Sequence, residues 1–261
     1  MPEALVVTER QGDCLIATLN RPADGNAISL AVARELAAIV ATCGTDRTLR
    51  ALVITGAGPR FFCTGGDVKA YARVTTALDL NQVFDLIRNL LDAIEALHCP
   101  VIAAINGYAI GGGAELVLAC DLRVMDAHAQ IGFPQSRLGI LPGWDGIGRL
   151  IPLVGRGAAA RLLLSGTRVD AGEALRIGLI DEVAPPGECL AQAVALARSF
   201  GDSAPLALAA IKLALRDAVS GDPARARQRA REAFIPLWFS ADHKEAERAF
   251  AEKRAPRFNG G

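Results

Sequence analysis

The chain has 261 residues, enough for one large domain or one domain with an appendage. It is 51% hydrophobic and 21% charged, with mean hydropathy +0.28, which excludes a disordered chain and allows a substantial core. Lys+Arg and Asp+Glu both number 28, so the net charge is zero and the basic surplus of a nucleic-acid binder is missing.

The first dozen residues include Glu9 and Arg10 and hold no apolar run of signal-peptide length. No stretch reaches about 18 uncharged apolar residues, so no membrane span is expected. Six cysteines (Cys14, Cys43, Cys63, Cys99, Cys120, Cys189) lie far apart without CxxC spacing. They read as buried free thiols of a reducing, cytoplasmic compartment. His98, His128 and His243 are the only histidines, none at ligand spacing from another, so no metal site is expected.

Taken in order, Leu5–Val7 and Cys14–Leu19 are β-favouring runs that predict a hairpin around Gly12. Pro22 ends the second strand because proline cannot continue a ladder. Ser29 reads as the N-cap of a helix over Leu30–Cys43 that stops at Gly44. Ala51–Thr55 is a buried strand feeding a loop from Gly56 to Gly66, and a helix follows over Leu80–Leu97. A second cycle runs from strand Val101–Ile105 through glycine-rich loop Asn106–Gly113 to short helix Ala114–Ala119. Strands Leu122–Met125 and Gln130–Phe133 come next. Asp170 and Glu173 make a capping box opening a helix that ends at Gly178, before a strand over Leu179–Val183.

Strand–strand–helix cycles predict an α/β core over residues 1–199. After Pro185–Pro186–Gly187 only helical runs remain: Leu190–Phe200, Leu206–Val219, Arg225–Phe239 and His243–Arg254. Residues 200–261 therefore read as a helical appendage. Its apolar stripe (Phe234, Leu237, Trp238, Phe250) needs cover from the core or a neighbouring subunit.

Three loops carry more glycine than turns alone require: Phe62–Lys69, Asn106–Glu115 and Phe133–Gly146. In the first two, either the glycines serve crowded tight turns, or their bare N–H groups converge as an oxyanion hole. Glu115 sits in an apolar helical turn after three glycines. It is either a capping carboxylate or a general acid/base, with the helix dipole lowering its pKa and burial raising it. Asp145 beside Trp144 reads either as a second titratable group or as an N-cap. Neither a Walker pattern, a GxGxxG after a strand, nor a GxSxG elbow is present.

Those loops resemble the crotonase superfamily, the enoyl-CoA hydratase/isomerase family. Arg60–Lys69 (RFFCTGGDVK) is similar to its F-C-x-G-x-D-[IVL]-K loop, and Pro100–Val124 to its central signature. Gly139–Leu150, Leu163–Val183, Ala249–Pro256 and the opening Asn20–Pro22 with Asn26–Ala27 match as well. The resemblance implies a spiral of ββα units with a C-terminal helical region that builds homotrimers, often paired as hexamers. It implies an acyl-CoA thioester as substrate partner, and no metal or redox cofactor, since coenzyme A belongs to the substrate. It implies that the N–H groups of Gly66 and Gly112 bind the thioester oxygen. Ala27, Gly66, Asp67, Val68 and Lys69 would lie along the coenzyme A moiety, and Glu115 falls on the first of two hydratase glutamates.

At the second glutamate position this chain has Gln135, which cannot exchange a proton. Trp144–Asp145 also replaces small residues there. Three readings follow. The first is a hydratase or isomerase in which Glu115, helped by Asp145, moves the proton. The second is malonyl-type CoA decarboxylation, since the Gly-Gly-Gly-Ala-Glu and Trp144 pattern looks somewhat like the ethylmalonyl-CoA decarboxylase branch. The third is a non-catalytic CoA-binding subunit, against which the intact Glu115 and glycine loops argue.

Overall fold

The computed structural model describes residues 4–71, 74–219 and 221–261, with Val68 and Ala70 as backbone only. β1 (Val6–Gln11) and β2 (Cys14–Leu19) form the expected hairpin, and α1 (Leu30–Thr45) follows with the Ser29 hydroxyl accepting the Val32 N–H. β3 (Ala51–Gly56) and β4 (Phe61–Cys63) lead to α2 (Val68–Tyr71) and α3 (Ala77–Ala96). β5 (Val101–Ile105) and β6 (Tyr108–Ile110) lead to α4 (Gly112–Leu118). β7 (Leu122–Asp126), β8 (Gln130–Gly132) and a 3-10 turn (Pro134–Leu138) lead to α5 (Gly146–Ser165). Then come β9 (Arg168–Asp170), α6 (Ala171–Arg176), β10 (Glu182–Ala184) and α7 (Cys189–Ser199). α8 (Pro205–Ala218), α9 (Pro223–Trp238) and α10 (Ala241–Glu252) are the C-terminal helices.

Each long strand of a cycle joins one sheet and each short one another. The large sheet has the order β1-β2-β3-β5-β7-β10, antiparallel only within the hairpin. β3 and β5 are buried on both faces, which is why they read as unbroken apolar runs. Alternation along them assigns the two faces: Ala51, Val53, Ile102 and Ala104 pack under α7, whereas Leu52, Ile54, Ala103 and Ile105 join the main core with α1 and α3. The small sheet runs β4-β6-β8-β9, parallel until the last pair. This is the α/β, ββα-repeating architecture that the sequence implied.

The sequence reading treated β4 and β6 as loop. Three-residue strands are too short to show alternation. It also placed no helix over α5, whose Gly148, Pro152, Gly155 and Gly157 lower helix propensity. Gly155 turns to φ 74°, ψ 160° and kinks α5 there. The expected strand over Leu179–Val183 begins later, at Glu182, because Leu179 and Ile180 are buried in the preceding turn.

Lys212 of α8 is buried, its ammonium donating to the carbonyls of Ile94 and Cys99 (both 3.1 Å) and pairing with Asp121 at 2.6 Å. That contact ties the helical region to the end of α3 and the start of β5. Beyond it, α9 buries no residue, and Phe234, Ile235, Trp238, Phe239 and Phe250 are exposed.

Candidate active site

Because β4, β6 and β8 run in one direction, their carboxyl ends deliver three loops to the same end of the small sheet. The loops meet closely. Gly65 has φ +98°, and a Cβ on it would lie 2.9 Å from the Gly112 nitrogen, so only glycine fits there. The neighbouring amides are committed: Ile28 N–H donates to Gly65 O, Asp67 N–H to Ile28 O, and Gly111 N–H to Gly132 O. The N–H groups of Gly66 and Gly112 donate to no acceptor among the described residues.

Both glycines line a cavity of about 260 Å³ that also takes in Glu115, Gln135, Tyr71, Phe84, Leu138, Ile140 and Trp144. An aromatic ring lies on each glycine. A Cβ on Gly66 would meet Tyr71 Cε2 at 2.6 Å, and one on Gly112 would meet Trp144 Cζ3 at 2.3 Å. The Tyr71 hydroxyl is held by the Ile28 carbonyl at 2.7 Å.

Glu115 sits on α4 among buried Ala114, Leu116, Val117 and Leu118. Its Oε2 accepts the N–H groups of Trp144 (2.8 Å) and Gly146 (2.9 Å), and its Oε1 accepts Gln135 Nε2 at 3.1 Å. The carboxylate therefore does cap a helix, but the helix is α5 rather than its own. Burial raises its pKa above the usual glutamate value, and the three donors pull it back. Gln135 is itself 6% exposed, and its Oε1 has no hydrogen-bond partner among the described residues. Glu115 is the one carboxylate among the residues lining this cavity.

The enoyl-CoA hydratase/isomerase family profile matches residues 9–261. The 2,3-dehydroadipyl-CoA hydratase of Escherichia coli is 38% identical over 255 residues, covering 98% of each chain. The short-chain-enoyl-CoA hydratase of Clostridium acetobutylicum is 35% identical over 250 residues, covering 95% of each. The crystal structure of enoyl-CoA hydratase from Bacillus anthracis superposes with TM-score 0.94 at 33% identity, over 98% of this chain and 100% of that one. The chain belongs to the enoyl-CoA hydratase/isomerase family.

Within this family member, Glu115, Gln135, Gly66 and Gly112 of the sequence reading come together. Asp145 does not. It occupies the N-cap position of α5 at φ +64°, with its side chain 64% exposed and 4.0 Å from Arg88 Nε. The turn that aims the flanking Trp144 and Gly146 amides at Glu115 sends the Asp145 carboxylate to solvent, so it gives Glu115 no help there.

Among the residues expected along coenzyme A, Asp67 pairs with Arg21 at 2.9 Å, and the same guanidinium donates to the Ala27 carbonyl at 3.0 Å. Arg21 thus staples the Ala27 segment to the first loop. Lys69 is exposed, and the Val68 side chain lies outside the described residues. Among the described residues, no group of three or more His, Cys, Asp or Glu is arranged to hold a metal ion.

The sequence reading missed Phe84 altogether. Tyr71, which beside Lys69 reads either as a ligand contact or as a packed aromatic, is packed and lines the cavity at once. It also missed Arg88 and Arg149, which hold the loop carrying Trp144. The only trace of them was a stripe on α3: Phe84, Arg88, Asp92 and Glu95 recur at helical spacing on the face toward that loop.

Proposed function

We propose that the protein processes an acyl-CoA thioester by moving a proton at the α- or γ-carbon, as an enoyl-CoA hydratase or isomerase. The Gly66 and Gly112 N–H groups would hold the thioester oxygen while the enolate forms. Each such donor contributes on the order of 10²–10³ in rate. In isomerisation Glu115 would take the proton from one carbon and return it to another; in hydration it would take a proton from the water whose oxygen adds to the β-carbon and deliver one to the α-carbon. One observation carries the reading: undonated amides from two loops and a buried carboxylate share one small cavity.

A second reading rests on Gln135. With a neutral amide where hydratases keep a carboxylate, a malonyl-type thioester could lose CO₂ instead. The C–C bond electrons would pass into the same enolate, and protonated Glu115 would deliver one proton to carbon. The raised pKa of Glu115 supports that protonated form.

Incubation with crotonyl-CoA, a 3-enoyl-CoA and methylmalonyl-CoA, read by mass spectrometry and chromatography, separates the cases. Gain of one water means hydration, a shifted double bond at constant mass means isomerisation, and loss of CO₂ means decarboxylation. Glu115→Gln should abolish whichever is found, and full activity in that variant overturns the assignment.

The strip Ala27 and Gly66–Lys69 is proposed to bind coenzyme A, which arrives with the substrate. The steps assigned to Glu115 and the two amides call on no other cofactor. We also propose that α8, α9 and α10 build a homotrimer or a dimer of trimers, supported by the exposed Phe234, Trp238 and Phe250. Six buried, unpaired cysteines support a reducing, cytoplasmic setting. No helix among the described residues is long and apolar enough to cross a membrane.

A further inference from the structure

One peptide group stands between Glu115 and Arg88, and a second arginine, Arg149, holds the carbonyl of the peptide that follows it. The peptide joining Gly143 to Trp144 gives its N–H to Glu115 Oε2 at 2.8 Å and its carbonyl to Arg88 Nε at 2.9 Å. The next peptide gives the Trp144 carbonyl to Arg149 at 2.7 Å, and one residue on, Gly146 N–H returns to Glu115. Since a peptide unit is planar and trans, its carbonyl and N–H point in opposite directions. A cation on the oxygen fixes the tilt of the N–H and polarises it toward the carboxylate.

Neither arginine is a loose surface charge. Arg149 has a side chain 9% exposed and forks onto Glu95 (2.9 and 3.1 Å) and Asp92 (2.6 Å) of α3. Arg88 is anchored by Asp85 at 3.0 Å and lies against the Phe84 ring. Phe84 in turn presses on Gly143, where a Cβ would come within 2.4 Å of its ring. The face of α3 therefore grips the turn at the Gly143 α-carbon and carbonyl, and anchors the Arg149 of α5 that holds the Trp144 carbonyl.

We propose that Arg88 and Arg149 are positioning residues for Glu115: Arg88 sets its ionisation through the Gly143–Trp144 peptide, and Arg149 holds the next carbonyl so that the turn of residues 143–146 keeps both its amides on the carboxylate. Neither lines the cavity, and among the described residues no charged side chain is hydrogen-bonded to Glu115. Other titratable or charged groups near it are the Tyr71 hydroxyl of α2, which burial pushes up, and Asp145, which faces solvent and Arg88. Arg137, on the turn carrying Gln135, is occupied by the Ser165 carbonyl. With the Arg88 guanidinium removed, the Trp144 amide holds the carboxylate less firmly and its pKa rises.

This inference rests on Glu115 being the acid/base, yet its test does not. Protein labelled with ¹³C-glutamate gives a Glu115 carboxyl signal, identified as the one missing from Glu115→Gln. Its titration is compared in wild type, Arg88→Met and Arg88→Lys. The Met variant should titrate higher by about half a unit, and Lys, which restores a charge near the carbonyl, should recover most of it. Arg149→Lys keeps the charge and loses the fork, and it should lower kcat on the active thioester with little change in KM. An unmoved Glu115 titration in Arg88→Met overturns the proposal, even if thermal stability falls. A moved titration in a protein inactive on every thioester upholds the proposal and removes the assigned function instead.

Discussion

Gln135 donates its side-chain amide to the carboxylate of Glu115 at 3.1 Å, inside a cavity that offers no second acid. Gln135→Glu would turn that hydrogen bond into two carboxyl groups in contact, which cannot both ionise cheaply. The pair should share one proton. The pH profile should then show two apparent values belonging to the pair, and hydration of crotonyl-CoA should increase. An unchanged pH–rate profile in Gln135→Glu contradicts the assigned contact.

The raised pKa of Glu115 has a thermodynamic sign. Its folded value exceeds the ordinary 4.5, so the fold favours the protonated form. That contribution is complete below the unfolded value and is lost as pH rises through the folded one. Wild type should therefore lose stability relative to Glu115→Gln on going from about pH 4 upward through that window. Melting temperatures of both proteins across a pH series check this, and a constant difference would refute it. For the isomerase or hydratase reading, the acid limb of activity should likewise lie above 4.5.

Gly112→Ala should be damaging for want of space alone. The added methyl would sit 2.3 Å from the Trp144 ring, and displacing it costs about 1–3 kcal/mol. The ring borders the turn that holds Glu115, so turnover should fall more than stability does. Trp144→Leu on the Gly112→Ala background should regain part of the melting temperature, which calorimetry reads directly.

Lys212→Met removes an ammonium that satisfies the carbonyls of Ile94 and Cys99 and the carboxylate of Asp121. Ile94 O keeps the Leu97 N–H and Asp121 keeps the Val101 N–H, but the Cys99 carbonyl loses its ammonium and Asp121 its counter-charge, which should cost about 2–3 kcal/mol. Hydrogen exchange should show the loss first in α8 and in the neighbouring end of α3. Equal protection in wild type and variant would show that the contact does not hold the helical region to the core.

The large sheet was legible because strands such as Ala51–Gly56 are buried on both faces and so read as continuous apolar runs. Gly66, Gly112 and Glu115 were legible as parts of one site because glycine clusters and an acid in an apolar helix are local signals. For Asp145 two readings stayed open, and the structure places it at the N-cap of α5: its neighbours Trp144 and Gly146 reach Glu115 through their amides, and a sequence records side chains rather than main-chain direction. Arg88 and Arg149 were invisible for a related reason: they act on main-chain carbonyls, Arg88 on one 55 residues away, and no side-chain pattern records such a contact. α5 was hidden by glycines and a proline that tertiary packing overrides.

The proposed charge-trapping part of the cavity consists of backbone, and so substitutions elsewhere in its wall leave that part in place. What a bound thioester becomes would then be written at a few replaceable positions, Gln135 and Trp144 foremost among those lining the cavity. Laboratory selection aimed at these two sites, with Gly66 and Gly112 left alone, is accordingly a route to new reactions on an unaltered frame.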